Sequence, residues 1–254
     1  LTLRTKRTLL NMAYALGSSL LLLLLGLVTR RLLVDNFGPQ ITTASQVVSQ
    51  LFNFFSIAEF GVGSVISYRL YEQIAAKNEE KISKYMSLYK WTYRLIGGAI
   101  FVLAAVFWFF LPLLIVEANT DWGAVHAIYI LQTLSTLSSY FLVTRRLLYT
   151  CTQQGYVCTR IDFVFNVLTY LARIYISLNY ANNYILYFGI TILFNTLANV
   201  VVAWRYRRDF PEVHDVRVSW ADFKELGLFR DLRYYLVHRL SNTIYGSSDT
   251  IVTS

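Results

Sequence analysis

Long apolar stretches separated by short polar connectors constrain this chain more than any other feature of its sequence. A bilayer core of about 30 Å takes roughly 20 apolar residues of helix at about 1.5 Å each. Six stretches meet that length, at about residues 9–34, 41–70, 89–116, 124–149, 161–180 and 184–206. A seventh begins near Tyr234 and is cut at Ser254. Residue 1 is Leu and the last stretch has no closing loop, so the expectation is the N-terminal portion of a longer protein. The pattern predicts an all-α integral membrane protein. Residues 1–206 would form a six-span lobe, 207–233 a connector carrying an interfacial helix, and 234–254 the start of a seventh span.

Charge gives the expected orientation. None of the 23 Lys and Arg residues falls in the connectors 35–40, 117–123 or 179–183, whereas the alternating connectors 69–94, 145–160 and 205–233 all carry them. By the positive-inside rule the basic set is cytoplasmic, and the N-terminus with it. The net charge of +8 is spread along one membrane face with Glu79, Glu80, Asp209 and Glu212 among the cations. Topology and anionic lipid account for it, and nucleic acid is not an expected partner. Cys151 and Cys158 fall near a cytoplasmic connector, where free thiols are expected, and their spacing alone holds no metal. Residues 9–34 are too long for a cleavable signal and end in Thr29-Arg30-Arg31 rather than in small residues.

Local signals place the breaks. Pro39 and Pro211 mark connectors, and Pro112 kinks or ends the third span. Glu80 and Lys84 at i,i+4, with Ile74, Ile82 and Tyr85, predict a helix lying on the membrane surface over 71–90. Ser219 followed by Asp222 predicts a helix start before Phe223, Leu226 and Phe229. The repeat of Thr29-Arg30-Arg31-Leu32-Leu33 as Thr144-Arg145-Arg146-Leu147-Leu148 is read as cations at two helix C-termini.

Polar residues recur at helical spacing inside several spans, which indicates faces turned toward protein or water rather than lipid. Asp162, Asn166, Tyr170, Arg173 and Ser177 form one stripe. Gln46, Ser49, Asn53 and Ser56 form another, Gln132, Ser135, Ser139 and Arg146 a third, and His238, Asn242, Tyr245 and Asp249 a fourth. Single Asn or Ser residues are accounted for as helix-helix contacts worth about 0.6 kcal/mol each. Charges are not, because an Arg or Asp at a helix centre costs about 2.5–3.5 kcal/mol. Arg30, Arg31, Arg173 and Arg239 either snorkel to the headgroups or line a cavity. Arg30 and Arg31 lie about 100° apart on a helix and cannot both face inward. Asp249 is too short to snorkel, and Glu59 is placed to pair with a cation near the cytoplasmic interface. Guanidinium groups at several depths suit an anionic ligand.

Asn11 and Leu32-Leu33-Val34-Asp35-Asn36-Phe37-Gly38 open a series of segments that continues with Ile57-Ala58-Glu59-Phe60-Gly61-Val62-Gly63, Tyr68-Arg69-Leu70-Tyr71, Tyr89-Lys90-Trp91-Thr92-Tyr93-Arg94 and Ser247-Ser248-Asp249-Thr250-Ile251-Val252-Thr253-Ser254. In kind and in order these segments resemble the Wzx-type polysaccharide repeat-unit flippases of the multidrug/oligosaccharidyl-lipid/polysaccharide exporter superfamily, with Phe37 where that family's early turn usually has Leu. The resemblance implies the first half of a two-lobed rocking bundle in the bacterial cytoplasmic membrane, moving undecaprenyl-diphosphate-linked oligosaccharide to the outer leaflet. It implies a cationic cavity of Arg173, Arg239 and either Arg30 or Arg31, lined further by Asn53, Asn166, Tyr170 and Asn242. Asp249 and Glu59 would couple transport to an ion or pair with the arginines. The implied partners are the lipid-linked glycan, membrane lipid, and polysaccharide polymerase and chain-length proteins.

Three other functions compete. A multidrug or cation antiporter would favour an acidic cavity, and a peptidoglycan-precursor flippase shares the charge logic. A membrane-embedded glycosyl- or acyltransferase would place a catalytic His or acid at the surface, but His126, His214 and His238 are scattered. Glycine-rich phosphate loops, zinc-spaced cysteines and serine elbows do not occur, so no catalytic residue, metal or cofactor is expected.

Overall fold

The computed structural model describes residues 3–56, 62–115, 121–180 and 183–225. The elements are α1 (Leu3–Ser56), α2 (Val62–Ala75), α3 (Glu79–Trp108), α4 (Leu111–Leu114), α5 (Trp122–Leu142), a 3-10 turn (Val143–Arg145), α6 (Arg146–Cys151), α7 (Gly155–Asn179), α8 (Tyr184–Asp209) and α9 (Trp220–Glu225). No strand occurs among the described residues. Among the described residues, five helical segments are long and apolar enough to cross a membrane: Leu16–Phe55, Glu79–Trp108, Trp122–Cys151, Gly155–Asn179 and Tyr184–Asp209. Only 11–28% of the most apolar window of each lies inside the bundle, so their apolar faces look outward. Leu24, Phe101, Leu171 and Trp204 are exposed in this way, as expected where lipid is the solvent. The chain is an all-α, multi-pass membrane protein.

The longest helix is broken at Gly38, whose φ of 78° and ψ of 166° belong to a region that glycine alone occupies readily. Pro39 follows, and its missing N–H leaves no donor unmet at the start of the second limb. Contacts show that the chain turns back here. In the first limb Gly26 approaches the Tyr170 hydroxyl, while the Asn36 side chain donates to the Ser177 carbonyl at 2.8 Å, so the limb climbs alongside α7. In the second, Ala44 packs with Ile115 and Val125, and Phe52 then meets Tyr129. The turn at Gly38 therefore sits at the same end as the close of α4, the start of α5, the end of α7 and the start of α8.

The opposite end carries most of the Lys and Arg among the described residues, Arg30, Arg31 and Arg173 lying toward the Gly38 end. There α2 closes into α3 through Lys77, held in the left-handed region at φ 52°. Asn78 N–H donates to the Gln73 carbonyl and Lys77 N–H to the Ile74 carbonyl, a Schellman arrangement that satisfies the orphan carbonyls. Asn78 also caps α3, its side chain accepting from Lys81 N–H at 3.1 Å. The surface helix expected over 71–90 is thus replaced by a helical hairpin. Its apolar residues Ile82 and Tyr85 are buried in the core with Ile66 and Leu70 of α2, and a helix lying flat would lose that packing. Gln153, at φ 59°, closes α6 with the same pair of bonds, to the Tyr149 and Thr150 carbonyls.

The remaining breaks follow local chemistry. α3 stops at Trp108 and Pro112 lies in the first turn of α4, while Asp121 and Asn183 cap α5 and α8. Beyond α8 the chain runs without helix over 210–219 and is clipped to α3. His214 N–H and Val216 N–H donate to the Ser83 and Ser87 hydroxyls at 3.2 and 2.9 Å. Lys90 pairs with Asp215, and Lys84 with Asp222 at 2.8 Å. These lysines lower both carboxyl pKa values, that of Asp222 to about 2 with the help of Ser219. Ser219 and Asp222 open α9 as the sequence predicts, with Phe223 buried. Of the expected connector 207–233, residues 226–233 lie outside the described residues, as does the seventh span.

Gly38→Ala is expected to destabilise the protein by about 1–3 kcal/mol, through backbone strain alone, because a Cβ at Gly38 meets no atom within 4 Å. Gly17→Ala, with equally open surroundings but in helical backbone, should be neutral or stabilising by up to about 1 kcal/mol. Thermal unfolding of the two purified variants in one detergent compares them directly.

Candidate functional site

α8 packs against both α5 and α7, and the polar faces of these helices meet in one seam. A cavity of about 390 Å³ lies along it, lined by Ser139 and Arg146, by Asp162, Asn166 and Thr169, and by Thr191, Asn195 and Asn199. Hydroxyls in the seam are internally satisfied. Thr169 donates to the Phe165 carbonyl at 2.7 Å and Ser139 to the Ser135 carbonyl at 3.1 Å. Asn195 then crosses from α8 to donate to the Ser139 hydroxyl at 3.2 Å.

The two ends of the seam differ in charge balance. Toward the basic end, the Arg146 guanidinium donates through both terminal nitrogens to Asp162, at 2.5 and 2.8 Å. Its Nε and Nη2 also reach the Asn199 side-chain carbonyl at 3.1 and 2.9 Å. This two-pronged pairing neutralises the cation where it stands. Arg146 begins α6 after the 3-10 turn rather than ending a helix, so it serves as an interior cross-link and not as the helix-terminal cation that its repeat suggested.

Arg173 lies eleven residues from Asp162 along α7, a rise of about 16 Å. Its Nη2 donates to the Thr191 hydroxyl at 2.6 Å, and its guanidinium lies 4.9 Å from the centre of the Tyr187 ring. Tyr187 is in turn fixed by donating to the Thr29 carbonyl at 3.3 Å. No carboxylate meets Arg173 among the described residues, and its Nε is sealed from solvent without an acceptor. One helical turn further along α7, the Ser177 hydroxyl is likewise sealed and unpartnered. A sealed polar atom of this kind costs about 1–3 kcal/mol, more when charged. Thr191, which accepts from Arg173, also lines the cavity, so one hydroxyl separates the unneutralised cation from the polar space.

Other sequence candidates fall elsewhere. Arg30 and Arg31 are exposed on the first limb of α1, and Arg31 faces Asp35 at 3.7 Å in a solvated pair. Asn53 is on the exposed side of the second limb. Tyr170 packs toward Gly26, and Asn166 opens onto the cavity. Glu59, Arg239, Asn242 and Asp249 lie outside the described residues. His126 stacks on Trp108 at 4.5 Å, and Cys151 and Cys158 are buried free thiols. The contribution of α8 went unread in the sequence, although Thr191, Asn195 and Asn199 repeat at four-residue spacing and so define one helix face.

The Arg146–Asp162 pair is partly shielded, with side-chain exposures of 20% and 38%. Its strength should fall between the about 0–1 kcal/mol of an exposed pair and the about 3–5 kcal/mol lost on breaking a buried one. Asp162→Asn alone is expected to cost about 1–3 kcal/mol, and adding Arg146→Gln should recover most of that loss. A double-mutant cycle of unfolding free energies reads the coupling. No protein-family model, curated protein or solved structure matches this chain.

Proposed function

We propose that the chain is the first lobe of a flippase for undecaprenyl-diphosphate-linked oligosaccharides, as the sequence resemblance implies, and that the α5–α7–α8 seam contributes to its substrate path. The observation that carries this reading is Arg173, a guanidinium without a carboxylate partner among the described residues, joined to a polar cavity inside the bundle. A diphosphate offers the oxygen acceptors that its unmet donor lacks. The lipid tail would remain in the bilayer while the headgroup passes along the seam.

The reversal at Gly38 supports six crossings rather than five, with the two limbs of α1 counted separately. With the basic end cytoplasmic, the N-terminus is cytoplasmic as well, and the Arg173 end faces outward. The carboxylate of the seam, Asp162, is already engaged by Arg146, so the charge left for a ligand is positive. That balance favours an anionic cargo over the cations of an antiporter.

In cells lacking the complete gene, lipid-linked repeat units should accumulate on the cytoplasmic face. Restoring the wild-type protein should clear them, and Arg173→Ala at equal membrane abundance should not. If the deletion leaves the lipid-linked glycan pool unchanged, the flippase function fails and antiport becomes the leading explanation. Accumulation of peptidoglycan precursor in its place would redirect the proposal to that cargo.

A further inference from the structure

We infer that the basic end of the bundle holds a second anion site, a pocket that binds a phosphate group where the 210–219 segment meets α3 and α8. The pocket measures about 360 Å³. Its cations come from three separate elements: Lys90 of α3, Arg145 of the 3-10 turn and Arg207 in the last turn of α8. Asp215, the carboxylate in the wall, is occupied by Lys90. Arg145 and Arg207 form no ion pair among the described residues, unlike Arg146, Arg205, Lys84 and Lys90, each of which meets an aspartate. The wall therefore carries three fixed positive charges against one negative.

Shape selects phosphate among anions. Two guanidinium forks arriving from different elements, with the hydroxyl-bearing side chains of Thr144 and Tyr206 in the same wall, offer donors from several directions. A flat carboxylate is satisfied by one fork, whereas a tetrahedral phosphate uses several. The volume exceeds a single phosphate and leaves room for a glycerol or a second phosphate. The segment closing the pocket is held by the Ser83 and Ser87 hydroxyls, so the wall is built rather than loose. The pocket is separate from the Arg173 seam, and its occupancy does not depend on what the seam carries.

Two sources supply this chemistry, a phospholipid headgroup at the membrane surface and a soluble phosphate. The full protein, purified in detergent, is titrated with dioleoylphosphatidylglycerol or dioleoylphosphatidylcholine, and bound lipids are counted by native mass spectrometry with and without inorganic pyrophosphate. One phosphatidylglycerol retained over phosphatidylcholine, and resistant to pyrophosphate, assigns a lipid phosphate; stoichiometric pyrophosphate binding that displaces it assigns a soluble one. In either case the Arg145→Gln, Arg207→Gln double variant should weaken binding by about tenfold or more. Arg207→Gln alone, at an exposed position in the last turn of α8, should weaken it partially without affecting folding. Arg160→Gln removes a cation near the start of α7, outside the pocket, and should leave binding unchanged. Undiminished binding in the double variant, an equal loss in Arg160→Gln, or no binding of either probe by the wild type overturns the assignment.

Discussion

Hydrocarbon offers no hydrogen bonds, so every polar group within the apolar length of this bundle must find its partner in the chain. The organisation of α5 to α8 follows from that constraint. Arg146 would be costly inside the bundle unpaired, and Asp162 and Asn199 take up its donors from two other helices. The cross-link fixes how α6, α7 and α8 sit against one another. Their remaining polar residues are drawn into the same seam, and the outer faces are left apolar.

Against that background Arg173 is the charged exception, with the Ser177 hydroxyl unmet one turn further along α7. Thr191 and the face of Tyr187 compensate it in part, and a cation over an aromatic face contributes about 0.5–2 kcal/mol depending on its desolvation. Neither contact neutralises the charge. A bundle selected for stability alone would place an aspartate nearby, as it does for Arg146. An uncompensated cation near a polar cavity suits the proposed anionic cargo, since a permanent internal partner would compete with it.

Much of the fold was legible because apolar length and charge asymmetry are properties of whole segments and survive errors at their edges. Pro39, Pro112, Ser219 and Asn183 each stand at a break. The hairpin at Lys77 was not legible. The Glu80–Lys84 spacing is the same for a helix lying on a membrane and for the first turns of one entering it, and Lys is not a residue whose identity announces a left-handed turn. Within the site, the α7 stripe containing Asp162, Asn166 and Arg173 was readable from periodicity. The α8 stripe had the same periodicity but no charge to draw notice. That Asp162 belongs to Arg146 could not be read from one helix, because the pairing joins positions on different helices whose rotation is set by packing. Arg30 and Arg31 show the converse, being conspicuous in sequence and exposed on the bundle.

A hydrated path along the seam and mere polar contact between helices differ in what reaches the cavity wall. Asn166 is exposed at the cavity wall, and the two native cysteines are buried free thiols. A single cysteine at Asn166, in a chain with Cys151 and Cys158 changed to Ala, should react in intact membranes with a polar, membrane-impermeant thiol reagent. A cysteine at the exposed apolar Leu171 of the same helix should not. Reaction at Asn166 that requires a lipid-soluble reagent, as at Leu171, would contradict the account and reduce the seam to helix-helix packing.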